Sequence, residues 1–257
     1  MGLFVCHKEA AALSVFCGDC IDIMKNMEGN SFDMILTDPP YCSGGTTARD
    51  RQATTSAKYT AREYNGAHRF PDFDGDNMDQ RAFTAFMRDV LFRCRQLAKP
   101  GGVAAVFVDW RNLPALADAL QMAGWTWRGV VVWDKGIARN QPGRFRADCE
   151  YIVWGSNGKM PVNWEPGQPA LPGCYRIPGV PSRRKNHQTE KPVELLEKLL
   201  AICPSGGAAL DPFMDSGSVG VACANTGRQF AGIELSPEYY GTAERRISEA
   251  EMRVQKM

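Results

Sequence analysis

The chain has 257 residues, of which 44% are hydrophobic, a formal net charge of +1 and nine cysteines. This is enough for a full core, and the near-neutral charge excludes a protein that coats nucleic acid through its overall field, so contact with a polyanion must come from local patches. No apolar stretch reaches the roughly 18 residues of a membrane span, no signal-peptide pattern opens the chain, and the cysteines are odd in number and scattered, so a cytoplasmic protein with reduced thiols and no membrane partner is expected.

In chain order, Leu13–Phe16 reads as a first strand, followed by Cys17-Gly18-Asp19-Cys20 and a helix over Ile21–Met27. The C-x-x-C spacing admits dithiol chemistry, but nothing downstream supports a small thioredoxin-like domain, which favours two buried small hydrophobes; a zinc site would need a second pair, which is absent from the sequence. The apolar run from Phe32 to Leu36 predicts a strand over Met34–Thr37 that ends in Thr37-Asp38-Pro39-Pro40-Tyr41. Open α/β sheets place their chemistry at such carboxyl ends. Two prolines remove two N–H donors and fix φ, leaving the carbonyls of Asp38 and Pro39 as stiff acceptors beside a carboxylate and an aromatic face. The exocyclic amine of a nucleobase suits that set, with Tyr41 stacking on the ring. The plain alternative is a Pro-Pro turn with a solvated aspartate.

A basic, Gly/Ser/Thr-rich loop follows at 43–75, with Arg49, Arg51 and Lys58 among its cations, and reads as a flexible flap that closes over a base or grips the backbone, or alternatively as a solvated surface loop. The spacing then predicts a helix over Gln80–Leu97, a turn at Lys99-Pro100-Gly101-Gly102, a strand over Val103–Asp109, a helix over Leu113–Ala123 and a strand over Trp127–Trp133. A second irregular stretch, 136–188, is broken by a strand at Glu150–Trp154 and carries Arg139, Arg144, Arg146, Arg183, Arg184 and Lys185. Arginine-rich loops neutralise phosphates and reach guanine edges, so these cations are candidate DNA contacts in a recognition insert.

The last third predicts a helix over Pro192–Ala201, a strand over Ala208–Leu210, the loop Asp211-Pro212-Phe213-Met214-Asp215-Ser216-Gly217-Ser218, a helix over Gly217–Asn225, a strand over Gln229–Glu234 and a helix over Pro237–Gln255. Strand, small-residue loop, helix and a strand closed by an acid form a nucleoside-binding pattern. Asp215 stands where a dinucleotide fingerprint has its first glycine, and its charge would repel a pyrophosphate. A sulfonium with an α-amino group, as in S-adenosylmethionine, fits that electrostatics better than NAD.

Together the ordered segments resemble the amino-group DNA methyltransferases, in the circularly permuted β group where Asp-Pro-Pro-Tyr precedes the cofactor loop. Gly18-Asp19-Cys20, Lys99-Pro100-Gly101-Gly102, Gly124-Trp125 through Trp133-Asp134-Lys135, Glu150-Tyr151-Ile152 and His187-Gln188-Thr189-Glu190-Lys191-Pro192 also fall in family order. The resemblance implies one catalytic domain over 1–257, a Rossmann-like α/β fold with a seven-stranded mixed sheet, and S-adenosyl-L-methionine as cofactor without a metal. It implies direct methyl transfer to adenine N6 of a base flipped out of double-stranded DNA, catalysed by Asp38, Pro39, Pro40 and Tyr41. Asp211, Phe213, Asp215, Ser216, Gly217 and Ser218 would surround the methionine end, Glu234 the ribose and Asp19 the adenine, with Thr189 and Lys191 on the methionine carboxylate. Lys191 reads alternatively as a solvated charge at a helix start. The family usually has glycine at Asp215, which either adopts a left-handed turn or pairs with the ammonium. Members often pair, so a homodimer is expected. Cytosine N4, RNA, a protein glutamine amide and a DNA-binding module without turnover stay open as alternatives, as does the choice between restriction partner and orphan enzyme.

Overall fold

The computed structural model describes residues 13–41, 78–136, 142–160, 170–181 and 190–256. Their strands are β1 (Leu13–Cys17), β2 (Phe32–Thr37), β3 (Ala98–Val108), β4 (Thr126–Asp134), β5 (Cys149–Ser156), β6 (Cys174–Arg176), β7 (Ala208–Asp211) and β8 (Gln229–Glu234). The helices are α1 (Cys20–Met24), α2 (Gln80–Leu97), α3 (Leu113–Met122), α4 (Val193–Leu199), α5 (Ser218–Asn225) and α6 (Pro237–Val254), and a 3-10 turn, Leu200–Ile202, extends α4.

The strands form one sheet in the order β1-β8-β7-β2-β3-β5-β4-β6. β1, β8, β7, β2 and β3 are parallel neighbours; β5 pairs antiparallel with both β3 and β4, and β6 lies parallel to β4. Only β5 therefore runs against the rest. Eight strands stand where the apolar pattern predicts seven, because the three-residue β6 is too short and too exposed to show a period in sequence.

β2 lies at the centre, and Met34, Ile35 and Leu36 are all fully buried. A strand covered on both faces reads as a continuous apolar run rather than an alternation. Ile35 packs with α1, α2 and α3 on one side, whereas Met34 and Leu36 pack with α4, α5 and α6 on the other. Asp79 caps α2 by accepting from the amides of Arg81 and Ala82 at 2.9 Å, and the α2 face is tied to the following layer by the Trp125 indole, which donates to the Leu91 carbonyl at 2.9 Å. The predicted turn Lys99–Gly102 lies inside β3 as an irregularity: Phe32 pairs with Ala98 and Met34 with Val103, with Gly101 at φ 80 in the offset.

α5 reaches α6 closely only because of its small residues. A Cβ on Gly220 would lie 2.4 Å from Ile247 Cδ1 and 2.8 Å from Phe230 Cε1. Gly220→Ala is therefore expected to destabilise the fold by about 1–3 kcal/mol through overpacking. Gly241, inside α6 with open space around its Cβ position, should instead gain about 0.4–1 kcal/mol as alanine. Denaturant midpoints of the two variants, at unchanged slope, measure both.

Candidate active site

Every parallel strand from β1 to β2 delivers an acid to the same edge of the sheet. Asp19 follows β1, Glu234 ends β8, Asp211 ends β7 and Asp38 follows β2. Because β5 runs in the opposite sense, its beginning lies at that edge too, and it carries Glu150 there. Parallel pairing thus gathers carboxylates that are far apart in sequence.

Thr37 and Asp211 join the two motif segments. The Thr37 hydroxyl, on a residue 1% exposed, donates to Asp211 Oδ1 at 2.6 Å across 174 positions of chain. The Phe213 amide donates to the same oxygen at 3.1 Å, which turns the chain into the loop. Burial pushes the Asp211 carboxyl up to about 7 against the pull of these two donors.

Around the tetrad the structure joins Lys191, expected at the methionine carboxylate, to Asp38, and adds Glu150, Lys135 and Asn112, to which the sequence assigned no site role. The Lys191 ammonium is bonded to Asp38 Oδ2 and lies 3.4 Å from Glu150 Oε2. It also sits over the rings of Tyr41 and Phe107, 5.1 and 5.2 Å from their centroids. The Tyr41 hydroxyl donates to Glu150 Oε2 at 2.9 Å, and Lys135 donates to Glu150 Oε1 at 3.0 Å. Asn112, buried at the start of α3, donates from Nδ2 to the Tyr41 carbonyl at 2.5 Å. Burial lowers the Lys191 ammonium, but Asp38 and Glu150 outweigh it and leave it raised. Burial likewise raises the Asp38 carboxyl by more than Lys191 lowers it. For Glu150 the balance reverses: burial raises it, but the charges of Lys191 and Lys135 and the hydrogen bonds from Lys135 and Tyr41 outweigh that and hold it at about 2. Lys191 is not a solvated helix-start charge, since the residue is 5% exposed. Asp38 Oδ1 is buried with no hydrogen-bond partner among the described residues.

Beside this group is a cleft lined by Asp38, Lys191, Asp211, Phe213, Asp215 and Ser216, among others. Asp215 has φ 48, the left-handed conformation expected for an aspartate in this position. Its carboxyl is pushed well up by burial and then by Glu234, Asp38 and Asp211. Glu234 accepts from the amides of Asp215 and Ser236 at 2.9 and 2.7 Å, leaving lone pairs for further donors. Gly217 has φ 81, and a Cβ there would meet Ala243 Cα at 3.0 Å. Arg246 of α6 straps the loop: it donates to the Ser216 carbonyl at 2.6 Å, to Ser216 Oγ at 2.8 Å and to Glu190 at 2.6 Å. Ser218 lies 9% exposed at the start of α5. A cleft in which buried carboxyls raise one another suits a cationic ligand, and the residues fit a sulfonium carrying an α-ammonium group.

Asp19 spends one carboxylate oxygen on the Asp22 amide as the α1 cap, at 3.0 Å, and is exposed. Of its C-x-x-C neighbours, Cys17 is exposed and Cys20 buried, both free, and burial with Asp19 pushes the Cys20 thiol up to about 12. A thiol so raised is a poor nucleophile, which speaks against dithiol chemistry; the packing role expected of both cysteines holds for Cys20 and not for the exposed Cys17. Arg144 is exposed in the approach to β5, and Arg146 is held on Asp148 Oδ2 at 2.7 and 2.9 Å. Thr189, Arg49, Arg51, Lys58, Arg139, Arg183, Arg184 and Lys185 lie outside the described residues, as do the whole 43–75 loop and much of the 136–188 insert. Among the described residues no group of three or more His, Cys, Asp or Glu side chains is arranged to hold a metal ion, and no helix is long and apolar enough to cross a membrane.

Comparison with known proteins places this geometry. The N6/N4 family model described as DNA methylase matches residues 32–245. The type II methyltransferase M2.MboI of Moraxella bovis is 26% identical over 257 residues, covering 92% of this chain and 88% of the relative. The crystal structure of the M1.HpyAVI–SAM complex superposes with a TM-score of 0.66 at 24% identity, covering 91% of this chain and 98% of that one. The cytosine-N4-specific PvuII DNA methyltransferase gives 0.66 at 15% identity, covering 96% and 94%. With the match spanning most of its length, the chain belongs to the N6/N4 DNA methylase family, whose methyl donor is S-adenosyl-L-methionine.

Proposed function

We propose that this protein methylates adenine N6 in double-stranded DNA, on a base rotated out of the helix, and that its chain is the circularly permuted form of the fold. The observation that carries the reading is Asp38 Oδ1, buried and without a hydrogen-bond partner among the described residues, on a carboxylate whose other oxygen binds the Lys191 ammonium over the Tyr41 ring. A buried acceptor without a donor costs about 1–3 kcal/mol, which an amino group arriving in the plane of a base would relieve. Tyr41, held at both ends by Asn112 and Glu150, is the stacking face. Asp38 and the Pro39 carbonyl accept the two amino hydrogens and turn the nitrogen lone pair toward the donor, and Pro40 keeps that backbone rigid.

S-adenosyl-L-methionine supplies an electrophilic methyl group on a sulfonium. Asp215 would hold its ammonium, and Asp211, Phe213, Ser216, Gly217 and Ser218 its methionine end. Glu234 would accept the ribose hydroxyls and Asp19 would meet the adenine amine. Lys191 stands between the two halves of the site, and with Thr189 it would meet the methionine carboxylate. Arg144, together with the cations of the 43–75 and 136–188 segments, would contact the DNA backbone or base edges. Two copies would pair in solution. The likeness to a cytosine-N4 enzyme favours one second reading, since a cytosine amine presents the same two donors.

Incubation with methyl-labelled S-adenosyl-L-methionine and duplex DNA, followed by digestion and mass spectrometry, should place the label in N6-methyladenine. Label in N4-methylcytosine corrects the base; label only in RNA or protein, or none despite cofactor binding, overturns the reading. Asp38→Ala should lower kcat by roughly a hundredfold or more, the scale of a lost group acting at the reacting atom. Asp215→Gly should weaken cofactor binding by about 5–10-fold, corresponding to about 1 kcal/mol of lost charge pairing, measured by calorimetry.

The pH dependence follows from Asp211, whose carboxyl is raised from 3.8 to about 7 in the folded protein. A raised acid binds its proton more tightly folded than unfolded, so its contribution is fully present below the unfolded value and is lost as pH rises through the folded one. The ligand-free protein should therefore lose stability between pH 4 and 7 more steeply than Asp211→Asn, which keeps an acceptor for Thr37 but does not titrate. Thermal melts of the two across that window provide the comparison.

A further inference from the structure

We infer that Glu150 is a positioning residue for methyl transfer: it holds the Tyr41 ring by its hydroxyl and offers Lys191 a second carboxylate when Asp38 takes up the proton of the target amine. The inference rests on the proposed amine methylation and concerns a residue to which neither the tetrad nor the cofactor loop assigns a role. Glu150 Oε1 accepts from Lys135 at 3.0 Å, while Oε2 accepts from Tyr41 at 2.9 Å and faces Lys191 at 3.4 Å. All three partners belong to other segments, so the carboxylate is a fixed point at the mouth of the site. Lys191 lies between Asp38 and Glu150 and is closer to Asp38.

As the amine is methylated it must lose a proton. Its N–H bond breaks with the electron pair remaining on nitrogen, and an O–H bond forms at Asp38 Oδ1, the oxygen with no other partner among the described residues. Asp38 becomes neutral and loses its hold on Lys191. The lysine keeps its three protons, and its attraction passes to Glu150, which stays ionised because Lys135 and Lys191 together keep its carboxyl at about 2. No charge is left without a counter-charge in a buried site, and the proton leaves Asp38 for solvent as product departs.

The groups facing Asp38 are Lys191, Glu150 and Tyr41, with Asp211 and Asp215 from the cofactor loop and Glu190 across the cleft. Glu150 opposes the ionisation of Asp38, both by its charge and by sharing Lys191. In Glu150→Gln the side chain still accepts from Tyr41, but the charge is gone and Asp38 no longer shares Lys191 with a second carboxylate there. The Asp38 midpoint should then fall, and the acid limb of kcat should move to lower pH. At the optimum kcat should drop on the order of tenfold to a hundredfold, the scale of a misplaced reacting group, while KM for the cofactor changes little.

Two measurements on the full chain test this: kcat against pH, and a carbon-13 carboxyl titration of Asp38 in the ligand-free protein, assigned with Asp38→Asn. Glu150→Asp keeps the charge and withdraws the carboxylate from Tyr41, so it should lower kcat yet hold the Asp38 midpoint near that of the parent. Near-parental kcat in Glu150→Gln, or a loss of kcat with neither the acid limb nor the Asp38 midpoint moved, overturns the inference. So does an Asp38 midpoint that falls as far in Glu150→Asp as in Glu150→Gln. The titration needs no methyl acceptor, so a protein that methylates no DNA at all would sink the functional reading while the link between Glu150, Lys191 and Asp38 is still read directly.

Discussion

The active edge of this molecule is organised around one buried cation. Lys191 lies bonded to Asp38, within reach of Glu150 and against two aromatic rings, with only 5% of its surface exposed. An isolated ammonium taken out of water would cost several kcal/mol. It is tolerated because two carboxylates and two π-faces surround it, and each of those groups is tied elsewhere in the fold. Glu150 is held by Lys135 and Tyr41, Tyr41 by Asn112, and Asp38 by its place between a buried strand and a Pro-Pro segment. Loss of the lysine would leave two acids facing each other in a desolvated space.

The cleft beside it is built on the opposite electrostatic principle. Asp211, Asp215 and Glu234 stand at the ends of two neighbouring parallel strands and in the loop between them, where the fold supplies neutral donors to Asp211 and Glu234 rather than cations. Their carboxyls are raised by burial and, for Asp211 and Asp215, by neighbouring acids as well. Such a cluster has the electrostatics that favour a positively charged group. Arg246 lies just behind, but it is committed to Ser216 and Glu190 and so stiffens the loop from α6 rather than neutralising the cleft. The two motif segments meet where Thr37 bonds Asp211, so the geometry around Asp38 depends on that of the 211–218 loop.

Much of this was legible before any coordinates. The central strand announced itself because a segment buried on both faces is apolar without a gap, and Asp38-Pro39-Pro40-Tyr41 followed directly from it. Asp215 in a left-handed turn was likewise readable, since few residues other than glycine tolerate that conformation. β6 was missed because three residues carry no period. The turn expected at Lys99–Gly102 is instead an irregularity within β3, and a Pro-Gly-Gly sequence has the same composition in either setting. Lys191 was legible as a member of an ordered motif but not as a partner of Asp38, because the contact spans 153 positions of chain.

By itself the sequence determined the local pieces: which runs are strands, where the stiff acceptors stand, which loop admits a nucleoside and why a pyrophosphate is disfavoured there. Local periodicity and backbone restriction act over a few residues, so they survive without tertiary context. Only the tertiary structure decided which charges meet. Glu150 reaches the site because β5 runs against its neighbours and presents its first residues at the edge where the other strands end. Strand direction is set by how connections cross the sheet, and no residue of β5 records it.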